Sequence, residues 1–143
     1  MKNNEERMIF YCKGVIETVK KLGWSPDMIH CQGWFSSLIP LYIKTLYKED
    51  PLFKDTKVIY SVFDTDFEGE LDSALMEKLL FERKLEESDV KGIKNPSFVN
   101  LSKFAIDYSD AITQASKTIN SDVSDYIKKS EKPFMKYPGE ENR

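Results

Sequence analysis

Met8, Cys12, Val15, Val19 and Leu22 recur at steps of four, three, four and three, the spacing of one face of an α-helix, and Gly23 stands where that helix should stop. A turn over Ser25-Pro26-Asp27 leads to a short apolar run, Met28-Ile29-His30-Cys31, which reads as a buried strand. Phe35, Leu38, Ile39, Tyr42, Ile43 and Leu46 form a second helical stripe. Pro40 lies inside it, removing a backbone donor, and is expected to kink or loosen the first turns. The clearest strand is Lys57-Val58-Ile59-Tyr60-Ser61-Val62, rich in β-branched residues and unbroken.

After a loop from Phe63 to Glu70, a helix is expected near 72–84, capped by Asp72 or Ser73. The segment EESDVKGIKN reads as a polar link. Asn95-Pro96 then signals a helix start, Asn as cap and Pro in the first position, with Phe98, Leu101, Ala105 and Tyr108 facing inward. A third strand is expected at Ala111-Ile112-Thr113-Gln114, a short helix over Asp122 to Lys129, and a fourth strand at Pro133-Phe134-Met135. Helices alternating with short apolar strands predict an α/β domain, a Rossmann-like parallel sheet with helices on both faces.

The length of 143 residues suits a single domain over 1–143. Nine Phe, seven Tyr and two Trp give enough apolar surface for a core, so disorder is not the reading. A net charge of −3, with Lys and Glu interspersed, argues against nucleic acid or an anionic membrane as partner. The one basic run, KKSEKPFMK, reads as solvated surface. Two cysteines without a CxxC, and a single histidine, do not make a zinc site, so both thiols are expected to be small core residues of a reducing compartment. No signal peptide or long apolar run is present, and a cytoplasmic location is expected.

Two features are out of place for a doubly wound domain. The chain opens on a helix, its first strand arriving only at residue 28, and it holds neither GxGxxG nor GxxxxGK. It therefore reads as part of something larger.

The stretches LGWSPDMIHCQGW, LIPLYIKTLYKEDPLFKDTKVIYS, FEGEL and AIDYSDAITQASKTINSDV together resemble bacterial glycogen (starch) synthases, over most of residues 5–125. Pro40 is usual in the corresponding helix of that family. The resemblance implies a partial N-terminal, acceptor-side lobe of a two-lobed GT-B fold. Enzymes of this kind move glucose from ADP-glucose or UDP-glucose onto an α-1,4-glucan such as glycogen, with retention of configuration and neither cofactor nor metal. It further implies that the opening strand, the lysine-glycine-glycine loop and the nucleotide-binding lobe lie outside this chain. The family commonly reads His-x-His-Asp-Trp-His/Gln where this chain has His30-Cys31-Gln32-Gly33-Trp34-Phe35, and Ile-His-Asn where it has Val62-Phe63-Asp64. Phenylalanine donates no hydrogen bond. Either a divergent branch holds the sugar through Asp64, Asp66 and backbone groups, or the lobe survives as a non-catalytic sugar-binding or regulatory module.

Open parallel sheets bind ligands at the carboxyl ends of their strands. The candidate substrate-binding residues are accordingly Gln32, Gly33, Trp34 and Asp64, and no residue is assigned a catalytic role. Gln32 can bond sugar hydroxyls, Gly33 lets a ligand approach the backbone, and Trp34 can stack on a sugar ring; turn chemistry and core packing explain the same three residues. His30, inside a strand, reads as a hydrogen-bonded residue at or near the core rather than a general base. The acids Asp64, Asp66, Glu68 and Glu70 read as a solvated loop rather than a hydrolase pair or a magnesium site. Ser36, Ser37 and Ser116 lack the G-x-S-x-G context of a nucleophile. A flavodoxin-like phosphoacceptor is excluded for want of its two acids, Asp and Lys at the strand ends. The unpaired backbone groups and uncovered apolar helix faces of a partial sheet also predict marginal stability or self-association, the latter through an exposed sheet edge.

Overall fold

The computed structural model describes residues 4–64, 69–72, 74–81 and 85–138. Helix α1 (Asn4–Lys21) leads into strand β1 (Met28–Gln32), and a single 3-10 turn (Trp34–Ser36) then precedes α2 (Leu38–Lys44). Strand β2 (Lys57–Val62) is followed by α3 (Leu75–Leu80), α4 (Glu87–Val90) and a second 3-10 turn (Lys91–Ile93). Helix α5 (Phe98–Tyr108), β3 (Ala111–Gln114), α6 (Ser121–Ser130) and β4 (Phe134–Met135) complete the order.

The four strands form one parallel sheet in the order β1-β2-β3-β4, with Met28 opposite Lys57, Ile59 opposite Ala111 and Ile112 opposite Phe134. This is the expected α/β parallel architecture. Each strand adds beside its predecessor, so successive right-handed crossovers carry their helices to the same side. The contacts agree: α1 packs on α2, α2 on α5 and α5 on α6. Under that layer lie Cys31, Val58, Tyr60, Val62 and Ile112, meeting Met8, Cys12, Leu41, Leu101 and Ala105. Helices were expected on both faces; among the described residues the packed layer is on one. Alternation along the strands puts Met28, His30, Gln32, Ile59, Ser61, Ala111, Thr113 and Met135 on the other face. There Met28 and Met135 are 56% and 67% exposed.

Local details depart from the expected pattern for physical reasons. The buried stripe of α1 runs Glu5, Met8, Cys12, Ile16 rather than through Val15, Val19 and Leu22. Helix α1 ends at Lys21, which leaves Leu22 exposed. Pro40 sits in the first turn of α2. The 3-10 turn ends before it, so Pro40 is the third residue of α2, where a backbone N–H has no intrahelical acceptor to lose. The cap of α5 is Ser97, whose Oγ accepts from the Asn100 N–H at 3.1 Å, while Asn95 contributes its carbonyl to the Asn100 side chain. The supposed polar link holds α4, closed by a reciprocal capping box between Glu86 and Asp89 and anchored by buried Val90 and Ile93. Ser73, one of the two expected caps of α3, lies outside the described residues; Asp72 instead accepts from the Ala74 N–H at 2.8 Å.

Two polar clamps hold the layers in register. Asp110 Oδ2 accepts from Lys44 Nζ at 2.7 Å and from the Val58 N–H at 2.8 Å, tying the start of β2 to α2. Partial burial would raise this carboxyl, but the Lys44 ammonium and the Val58 N–H outweigh it and hold it below the usual carboxylate range. Lys132 Nζ donates to the carbonyls of Ile106, Asp107 and Ser109 at 2.7, 2.6 and 2.7 Å, closing the end of α5.

Tyr42 is fully buried on α2, and its hydroxyl meets no hydrogen-bond partner among the described residues. A desolvated, unpaired hydroxyl is a liability, so Tyr42→Phe is expected to leave stability unchanged or raise it by up to about 1 kcal/mol. Thermal denaturation checks this; a clear drop in the melting temperature would mean the hydroxyl has work to do in the core.

Candidate functional site

The carboxyl ends of β1, β2 and β3 make one rim. Strands β1 and β2 are parallel neighbours with Gln32 opposite Ser61, so the loops that begin at Gly33 and Phe63 leave the sheet at the same end. Strand β3 follows beside β2, with Gln114 opposite Val62, and adds the loop from Ala115.

Gln32 is exposed on the side of the sheet that carries no helix. Gly33 has φ 80° and ψ 169°, a region open essentially to glycine alone, and a Cβ built there would meet nothing within 4 Å. The conformation has a purpose. It turns the chain from β1 into the 3-10 turn while the Gly33 N–H extends the ladder to the Ser61 carbonyl at 3.1 Å. The Gly33 carbonyl then accepts from the Ser36 N–H and hydroxyl at 3.2 and 2.8 Å. Among the described residues nothing fills the space above Gly33, but its N–H is already engaged.

Trp34 is half-buried and packs against the core, its ring edge-on to Phe35 at 5.4 Å with an interplanar angle of 82°. Asp64 is exposed beyond β2, and its backbone N–H donates to Ser116 Oγ at 2.9 Å. Ser116 thus ties the loop after β2 to the loop after β3. Sequence reasoning weighed this serine only as a nucleophile; its position directly after a strand was the available signal. Gln114 stiffens the same loop, donating its side-chain amide to the carbonyls of Ser116 and Lys117 at 2.9 and 3.0 Å. Asp66 and Glu68, considered alongside Asp64, lie outside the described residues.

Beneath the rim runs a row of side chains across three strands. His30 Nε2 is hydrogen-bonded to Ser61 Oγ, and Ser61 Oγ meets Thr113 Oγ1 at 2.5 Å. His30 is hydrogen-bonded, as expected, yet exposed rather than sunk in the core. Ser61 lies at 2% exposure under it. With its oxygen shared between two partners and mid-strand, Ser61 lacks the setting of a nucleophile.

The two thiols offer no chemistry at this rim. Cys12 and Cys31 are buried and unpaired with each other, and burial pushes both up to about 12, where the thiolate is scarce at neutral pH. Among the described residues no group of three or more His, Cys, Asp or Glu side chains is placed to hold a metal ion. Likewise, among them no helix is long and apolar enough to cross a membrane.

Comparison with known proteins locates the chain. The family described as "Starch synthase catalytic domain" matches residues 1–131. Glycogen synthase of Chlorobium luteolum is 38% identical over 119 residues, 82% of this chain and 23% of that protein. Glycogen synthase of Desulforudis audaxviator is 31% identical over 113 residues, 79% of this chain and 22% of that protein. The catalytic domain of Starch Synthase IV from Arabidopsis thaliana, solved with ADP and acarbose bound, superposes with a TM-score of 0.71 at 16% identity. That superposition covers 96% of this chain and 30% of the plant protein, and it shows a shared fold. The chain spans about a quarter of the length of the relatives it matches.

Proposed function

The chain belongs to the starch synthase catalytic-domain family, and from that premise we propose that it forms part of the acceptor-side lobe of a glycogen- or starch-synthase-like glucosyltransferase. The observation that carries this reading is the family match over residues 1–131. In the complete enzyme the lobe would face a nucleotide-binding lobe across the GT-B cleft. Glucose would pass from ADP-glucose or UDP-glucose to the end of an α-1,4-glucan with retention of configuration, without cofactor or metal, in the cytoplasm. ADP in the plant neighbour's site supports the nucleotide, and acarbose supports a glucan-like partner.

The roles of the rim follow from its chemistry. Asp64 can accept from sugar hydroxyls, Gln32 can accept or donate, and the open space over Gly33 admits the sugar close to the backbone. Trp34, half-buried, walls the rim rather than presenting a free stacking face. The free edge of β1 is where a further strand, from the rest of such an enzyme or from a second copy, would add.

A second reading has its own support. Phe63 brings no donor, and the Gly33 N–H is taken by Ser61, so a lobe that keeps the fold while binding sugar without turnover would look the same here. Asp64→Ala, made in a protein carrying both lobes, separates the two. Loss of a hydrogen bond to a sugar hydroxyl removes about 1–3 kcal/mol, so catalytic efficiency should fall roughly tenfold or more. Efficiency equal to that of the parent would remove Asp64 from the site, and absence of turnover in the parent itself would favour the sugar-binding module.

A further inference from the structure

Among the described residues, the two most exposed aromatic side chains lie away from the rim. Phe10 on α1 is 82% exposed and Phe81, just after α3, is 89% exposed. They line a groove of about 820 Å³ between the two helices, together with Ile9, Gly14 and Ala74 and with charged side chains that include Glu17 and Lys78. Lys78 ties the two helices together, its Nζ reaching from α3 to Glu5 and Glu6 at 3.0 and 2.9 Å. Apolar side chains left in water around a concave apolar floor mark an interaction surface.

We infer that this face binds a second copy of the same chain, through an antiparallel α1–α1 contact in which Phe10 of each protomer enters the other's groove. The surface is self-complementary. An isologous interface needs knob and hole on one patch, and Phe10 and Gly14, four residues apart, lie on the same side of α1. Among the described residues nothing lies within 4 Å of where a Gly14 Cβ would be, so a partner helix can approach closely there.

The charges fit the same register. With Phe10 opposite Gly14 of the partner copy, antiparallel geometry sets Glu17 opposite Arg7, twice over by symmetry. Arg7 and Glu17 are both exposed on this face; one oxygen of the Glu17 carboxylate accepts from the Tyr47 hydroxyl at 2.5 Å, which leaves the other for the partner's Arg7. A parallel arrangement would oppose like charges instead. An interface of this limited extent belongs to the weak class, with dissociation in the micromolar range or above.

Sedimentation velocity of the purified chain over a wide concentration range tests this. The expected result is a reversible monomer–dimer equilibrium that Phe10→Ser weakens by at least about tenfold, as loss of a central aromatic anchor does. Far-UV circular dichroism should show Phe10→Ser folded, because the side chain contacts little in the monomer. Arg7→Glu and Glu17→Arg should each weaken the dimer, and the double exchange should restore it. That restoration depends on the register and not on general stickiness. A chain that stays monomeric throughout overturns the inference. Association that survives Phe10→Ser but is lost in Met28→Lys also overturns it, because the contact would then run along the edge of β1.

Discussion

Incubated with glycogen and either ADP-glucose or UDP-glucose, the 143-residue chain alone is expected to incorporate no glucose above a blank reaction. Glycosyl transfer needs the donor's phosphates held while the acceptor hydroxyl is aligned with the anomeric carbon. Among the described residues, three backbone donors at the rim are already committed: Gly33 N–H to the Ser61 carbonyl, Asp64 N–H to Ser116 Oγ and Ala115 N–H to the Val62 carbonyl. The start of α6, a natural place for a phosphate, is closed by Asn120, whose Oδ1 accepts from Asp122 and Val123 at 2.9 and 3.2 Å. Positioning alone is worth roughly 7–11 kcal/mol of barrier in well-aligned systems. With those donors engaged, the described rim offers no set of backbone N–H groups to hold the donor's phosphates, that contribution is forfeited, and the rate should fall below detection. Radiolabel transfer with both donors checks the expectation, and reproducible turnover by the isolated chain would refute it.

The second large effect concerns stability. Lys132→Met removes the ammonium that closes three carbonyls at the end of α5, and it does so with little loss of side-chain volume. Each hydrogen bond from a charged donor contributes up to about 1.5–3 kcal/mol when buried, but Lys132 is partly solvated and water replaces some of it. A net loss near 2 kcal/mol is the expectation, lowering the melting temperature by roughly 5–8 °C. Lys128→Met, exposed on α6, is the control and should stay within about 0.5 kcal/mol of the parent. Equal melts for the two variants would show that the closure of α5 contributes nothing.

Much of the fold was legible because the strands are short, apolar and bounded by turn residues. The first three strands fall within one residue of their expected limits, and their shared end follows from parallel pairing. What escaped was set by tertiary context. Val90 and Ile93 are single buried anchors in a charged segment, and two apolar residues three apart do not announce a helix. Pro40 looked disruptive only because the 3-10 turn that ends the preceding segment has no sequence signature of its own. The run Met28-Ile29-His30-Cys31 read as buried on both sides, whereas Met28 and His30 face away from the helical layer. At the candidate site, the Asp64–Ser116 tether joins residues 52 positions apart, which no local pattern records.

The one-way order of the sheet bears on where a ligand should lie. Strands that accrete from β1 to β4 in a single direction contain no reversal of winding. In doubly wound sheets the crevice that receives a ligand opens at the topological switch point, where neighbouring strands send their crossovers to opposite faces. Between β1 and β4 every crossover goes the same way, so no such point exists there. If the rest of a longer sheet builds outward from β1 and winds the other way, the switch point falls at the outer edge of β1. The deepest part of the binding crevice would then adjoin Gln32 and Gly33, with Asp64 one strand further back, roughly 5 Å away along the sheet.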